Sequence, residues 1–156
     1  EHDRAQIADV SPRIERLMLL PSQSIRLQYN YLRGRLANAG HLPEPEAVRA
    51  ARKLRKETNP LAVVWALVIE AGALAGRDPR RAATLYERAA EAGDRVGMRA
   101  MASASRWRVA ELLEDGALRA RAETELAGLG VRNIKRMCSL LVTSGLALAD
   151  GNTGGS

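Results

Sequence analysis

Residues 59–93 read NPLAVVWALVIEAGALAGRDPRRAATLYERAAEAG, and this stretch decides the fold. Asn59 is placed to cap the first free N–H groups of a helix, and Pro60 follows at the position where a missing donor is harmless. The helix so begun runs through Val63, Leu67 and Leu74. Gly76 then offers a left-handed cap, and Asp78-Pro79 restart a second helix in the same way. In that second helix Ala82, Leu85, Tyr86, Ala89 and Ala90 recur at helical spacing, opposite Arg81, Thr84, Arg88 and Glu91. Small inward residues let its backbone approach the first helix closely. Helices of this length draw most of their stability from burying an apolar face, so the pair requires neighbours.

The flanking sequence supplies them. Upstream, Pro21-Ser22 opens a helix to about Ala39, closed by Gly40, with Ile25, Tyr29, Leu32 and Leu36 on one face and Ser24, Gln28, Tyr31 and Arg35 on the other. After the turn HLPEP, Pro45 starts a helix to about Thr58 with Ala47, Ala50, Ala51 and Leu54 inward. Arg49, Arg52, Lys53 and Lys56 share its other face. Downstream, Asp94 is the expected cap of a helix to about Leu113, with Met98, Met101, Ala102, Val109 and Leu112 apolar and Arg95, Arg99, Ser103 and Arg106 as a polar stripe. Asp115-Gly116 precede a helix carrying Leu118, Ala122 and Leu126, and Asn133 caps a last one from Ile134 to about Thr143.

Helix starts at Ser22, Asn59, Asp94 and Asn133 lie about 35 to 39 residues apart, the recurrence of stacked helix pairs. The expected fold is all-α, with antiparallel pairs stacked as a short, right-handed, tetratricopeptide-like solenoid. Residues 1–20 read as the tail of a preceding repeat. Residues 21–145 are expected to form the repeat domain, with pairs at about 22–58, 59–93 and 94–129 and a capping helix at 133–145, and residues 146–156 read as a flexible tail.

Composition agrees with this class. The chain has 156 residues, and its 46% apolar content suffices for a core. Phe is absent and Ala, Leu, Arg and Glu dominate, which favours helix over strand. No run of 18 uncharged apolar residues and no charged-then-apolar leader is visible, so neither a membrane span nor a signal peptide is expected, and the reading is cytoplasmic. The net charge of +6 is compatible with an acidic partner. The single cysteine, Cys138, shares a helical stripe with Ile134, Met137 and Leu141 and reads as a core thiol.

Catalytic apparatus is not visible. There is no glycine-rich loop followed by Lys-Ser or Lys-Thr, and no His-Arg-Asp or Asp-Phe-Gly run. The two histidines, His2 and His41, sit far from each other and from Cys138, so neither a metal nor another cofactor is expected. Ser103 and Ser105 lack an accompanying base, and Glu44 and Glu46 read as helix-start charges. Two surfaces remain. Gln28, Tyr31, Arg35, Glu70, Arg99, Ser103 and Arg106, all from the first helix of a pair, are candidates to line an inner groove for a peptide or acidic segment. Arg49, Arg52, Lys53 and Lys56 form a basic stripe on an outer helix, a weaker candidate for nucleic acid because no aromatic residues interleave it.

The stretch 59–93 resembles a degenerate tetratricopeptide repeat, with Ala82, Tyr86 and Ala89 in the small, aromatic, small pattern of its second helix and Gly76-Arg77-Asp78 in place of its turn. Ile69 is larger than that pattern wants, and Asp94 stands where its closing proline falls. A longer resemblance covers roughly Arg49 to Leu146. It includes ARKLRKETNPLAVVWALVIEAGALAGR, AATLYERAAEAGDRVGMRAMASASRWRVAELLED and GLGVRNIKRMCSLL. These runs look like the carboxy-terminal helical-repeat region of large bacterial serine/threonine protein kinases of myxobacterial type, in which the region follows a kinase domain and an ATPase module. GVRNIKRM, Gly130 to Met137, is the most specific element, with Ile134 where that family has proline. The resemblance implies a sensory or protein-docking module and carries over no catalytic residue. Two other functions fit the residues: a helical arm of a transcriptional regulator that touches nucleic acid, and a small-molecule pocket near Trp65 and Trp107.

Overall fold

The computed structural model describes residues 22–143; the expectations for residues 1–20, for His2 and for residues 146–156 lie outside them. The described residues form seven helices and no strand: α1 (Gln23–Asn38), α2 (Pro45–Leu54), α3 (Pro60–Leu74), α4 (Pro79–Arg95), α5 (Arg99–Leu113), α6 (Gly116–Gly128) and α7 (Ile134–Leu141). This described part is all-helical, and each helix packs on the next in sequence. Contacts also skip one helix, joining α1 to α3 and α5 to α7.

Side-chain caps start four of the helices. Asn59, Asp78, Asp115 and Asn133 accept the backbone N–H of Leu61, Arg81, Leu118 and Arg136 respectively, each satisfying a donor that the helix itself leaves unpaired. Two expected boundaries differ. Asp94 is not a cap but lies in the last turn of α4, where its carboxylate meets Arg106; the break comes at Gly97, whose φ of 76° suits glycine. Gly76 does not take the left-handed conformation, because the N–H groups of Arg77 and Asp78 both reach back to the Leu74 carbonyl and close α3 without it.

The inward face of α1 is also turned relative to the apolar pattern. Ile25 and Leu32 are exposed, whereas Leu27, Asn30, Gly34, Ala37 and Asn38 are buried. The cause is a close crossing with α3: a Cβ on Gly34 would collide with the Ile69 side chain, so the contact accepts only glycine there. Asn30 satisfies itself on the Arg26 carbonyl, and Asn38 donates to the Ile69 carbonyl at 3.0 Å. Both polar side chains are thus buried with a partner.

Two apolar clusters result. One, with Leu27, Ala47, Leu54, Ala66 and Ile69, joins α1, α2 and α3. The other, with Val68, Tyr86, Trp107, Leu126, Cys138 and Val142, runs from α3 to the end of the described chain. Burying each large aliphatic side chain contributes about 1.5–3 kcal/mol. Tyr31 and Trp65 pack against both clusters and stack on each other, with ring centroids 4.7 Å apart at 15°. That offset stack adds about 0.5–1.5 kcal/mol beyond its buried area and fastens α1 to α3.

Candidate functional site: a clamp on main-chain carbonyls

α7 is eight residues long, and its last carbonyls have no partners within the helix. They find them 34 to 110 residues away. The Tyr31 hydroxyl donates to the Leu141 carbonyl at 2.7 Å, Arg108 Nε to the Val142 carbonyl at 3.1 Å, and Asn38 Nδ2 to the Thr143 carbonyl at 3.4 Å. Three successive main-chain carbonyls are therefore met by side chains of α1 and α5. Arg35 Nε donates to Thr143 Oγ1 at 3.2 Å, and its guanidinium lies over the Tyr31 ring. Val142 leaves the helix with φ −127° and ψ 70°, and its side chain is fully buried. Gly72 of α3 completes the site, since a Cβ there would collide with Asn38 Nδ2 and the Thr143 carbonyl. The Asn38 side chain and the Thr143 main chain together fill the space that a side chain at Gly72 would need.

Electrostatics favour the arrangement. Arg108 is 4% exposed and pairs with Glu111, so its charge is compensated while Nε still faces the carbonyl. Burial pushes the Tyr31 phenol up to about 12, against a smaller opposing effect of Arg35, so it remains a donor throughout the neutral range. Among the described residues three buried side-chain polar atoms have no partner: Asn38 Oδ1, Trp65 Nε1 and the Tyr86 hydroxyl. Burial likewise raises the Tyr86 phenol, with Arg108, Glu111 and Tyr31 as its charged or polar neighbours.

The residues expected to line one groove fall in different places. Tyr31 and Arg35 come together at the carbonyl clamp. Ser103 and Arg106 instead face α6, where both donate to Glu125, and Arg106 also pairs with Asp94 of α4. Glu70 receives two hydrogen bonds from Arg55, at 2.7 and 2.6 Å, beside the end of α2. Gln28 and Arg99 are exposed. In the basic stripe Arg49 pairs with Glu46, while Arg52, Lys53 and Lys56 are exposed and form no ion pair among the described residues. Asn38, Gly72, Arg108 and Val142 were not singled out from the sequence. Arg108 carried only a weak signal, since its neighbours at helical spacing mix Ala104 and Leu112 with Ser105 and Glu111.

The Arg108 and Arg119 guanidinium groups both lie over the Trp107 ring, and Trp107 Nε1 donates to Glu123 at 3.2 Å. One surface cleft is lined by Arg77 to Arg80 with Leu112 to Glu114, a second by Leu129 to Asn133 with Arg136, Met137 and Leu140, and Trp65 and Trp107 line neither. Among the described residues no helix is long and apolar enough to cross a membrane, and no three His, Cys, Asp or Glu side chains cluster. In comparisons with family models, curated proteins and solved structures, no match to the chain was found.

Proposed function

We propose that the chain is a protein-interaction module, a short right-handed solenoid of tetratricopeptide-like helix pairs whose inner groove holds a peptide or an acidic protein segment. The observation that carries this reading is the clamp of Tyr31, Asn38 and Arg108 on three consecutive main-chain carbonyls. Main chain is common to every polypeptide, and side-chain donors aimed at it hold an extended segment whatever its sequence. Arg35 gives the groove a positive bias, which suits an acidic ligand. No catalytic role is assigned to any residue. The resemblance of GVRNIKRM and its flanking runs supports a place in a bacterial signalling protein, as a sensory or docking region of a serine/threonine kinase.

Panning a random peptide library on the full chain tests the reading. Peptides recovered should lose affinity about tenfold on Tyr31→Phe, a change that keeps the stack on Trp65 and removes only the hydroxyl. Recovery of no peptide, or of peptides indifferent to this change, rejects it. The unpaired Arg52, Lys53 and Lys56 support a second reading, an arm that touches nucleic acid. That reading requires duplex binding that weakens steeply as salt rises.

A further inference from the structure

The clamp raises a question that the helix pairs do not answer: why a groove suited to foreign main chain is filled by the chain itself. We infer that Leu141–Thr143 is an internal pseudo-ligand, holding the groove against an extended peptide of similar chemistry, a β-branched aliphatic residue followed by Thr or Ser. The inference rests on the peptide-groove reading above and names both its occupant and its ligand class.

Four observations carry it. The donors from α1 and α5 reach the carbonyls of residues 141 and 142 and no side chain of them, so another strand can take the same bonds. The side-chain pocket is specific, because Val142 is fully buried in the larger apolar cluster and Thr143 is 8% exposed, with its hydroxyl accepting from Arg35. Asn38 Oδ1 is buried without a partner while its Nδ2 holds a carbonyl. A carboxamide can accept a main-chain N–H as it donates to a C=O, and the internal segment leaves the accepting half of Asn38 unused. Finally, the helix that leads to the internal occupant has little buried surface of its own. Cys138 is the one fully buried residue of α7, which packs mainly on α5, so α7 and the segment after it can lift away with α1 to α6 left in contact.

A ligand in trans competes with a tethered one, and its apparent affinity falls by the fraction of molecules whose groove is open. The test uses the full chain and a fluorescent peptide of its own residues 139–145, SLLVTSG, read by anisotropy. Val142→Gly in the full chain removes the anchoring side chain of the internal segment. Binding of the peptide should tighten at least about tenfold relative to the unaltered chain, and a peptide carrying the same glycine should fail to bind. Equal affinity for both chains, or equal binding of both peptides, overturns the inference. If Val142→Gly does not fold, amide exchange on the unaltered chain decides. Saturating peptide should accelerate exchange at Val142, and unchanged exchange is a refutation. Library peptides that bind Val142→Gly and respond to Tyr31→Phe, when SLLVTSG does not bind, sink the pseudo-ligand and leave the groove standing; no binding of either removes both.

Discussion

Gly72→Ala is the perturbation whose consequence the structure specifies best. In an open helix interior the change stabilises by about 1 kcal/mol, because alanine loses less backbone freedom on folding. At this position the new methyl would fall on Asn38 Nδ2 and the Thr143 carbonyl, both in a buried site. Overpacking of this kind costs about 1–3 kcal/mol. Displacing the Asn38 amide also breaks its 3.0 Å bond to the Ile69 carbonyl, and a net hydrogen bond contributes about 1 kcal/mol. Middle values, about 2 for crowding and about 1 for the bond against about 1 gained, leave a net loss of about 2 kcal/mol. At about 3 °C per kcal/mol for a chain of this size, Tm falls by about 6 °C. Urea and thermal denaturation followed by circular dichroism measure both. Gly76→Ala and Gly128→Ala are internal controls, since a Cβ at either meets nothing within 4 Å, and each should gain up to about 1 kcal/mol. Gly72→Ala as stable as these controls would refute the close approach of Asn38 and Thr143 to α3.

Tyr86→Phe should stabilise the chain by about 1 kcal/mol, because it removes a buried hydroxyl that has no partner and keeps the ring; a loss in the denaturation midpoint would mean that the hydroxyl is bonded. Cys138 should resist thiol reagents at neutral pH in the folded chain and react on unfolding, since burial pushes its thiol up to about 12; fast labelling of the native protein contradicts this. Acid should destabilise the fold through Glu57 and Glu46. The hydrogen bond from Arg26 holds the Glu57 carboxyl below its ordinary 4.5, and at Glu46 burial acts upward but Arg49 and Arg33 together outweigh it. Both folded values are depressed, so their contribution is complete above the ordinary value and disappears as pH falls through the lower, folded one. Denaturation over an acid series should show this slope, and Glu57→Gln should flatten it; an unchanged slope refutes the pairing.

Helix starts were legible in the sequence because capping is local: Asn59, Asp78 and Asn133 act on N–H groups two or three residues away. Asp94 looked identical in kind, but Gly97 lay three residues on, and an acidic residue in a last turn is indistinguishable from a cap until its partner Arg106 is placed. The face of α1 misled for a different reason. Hydropathy ranks Asn30, Gly34 and Asn38 as outward, yet the crossing with Ile69 selects for small size and for side chains that satisfy themselves on carbonyls. Tyr31 and Arg35 were legible as partners on one stripe of α1, and both meet the segment Leu141–Thr143. The rest of the clamp was not, because the bond from Tyr31 to Leu141 spans 110 residues and a periodic pattern carries no information about such a separation. Ser103 and Arg106 share a stripe as regular as that of Tyr31 and Arg35, and only the position of Glu125 turns it towards α6.

The central claim is that the main chain at Leu141–Thr143 is held by α1 and α5, and hydrogen exchange at the Val142 amide addresses it most directly. That N–H donates to the Cys138 carbonyl at 2.8 Å in the last turn of α7, where an undocked helix end would open freely. The account predicts protection comparable to interior amides of α3 in the unaltered chain, and loss of that protection in Tyr31→Phe and Arg108→Gln. Exchange at Val142 as fast as at a frayed helix end, and the same in all three proteins, would contradict it.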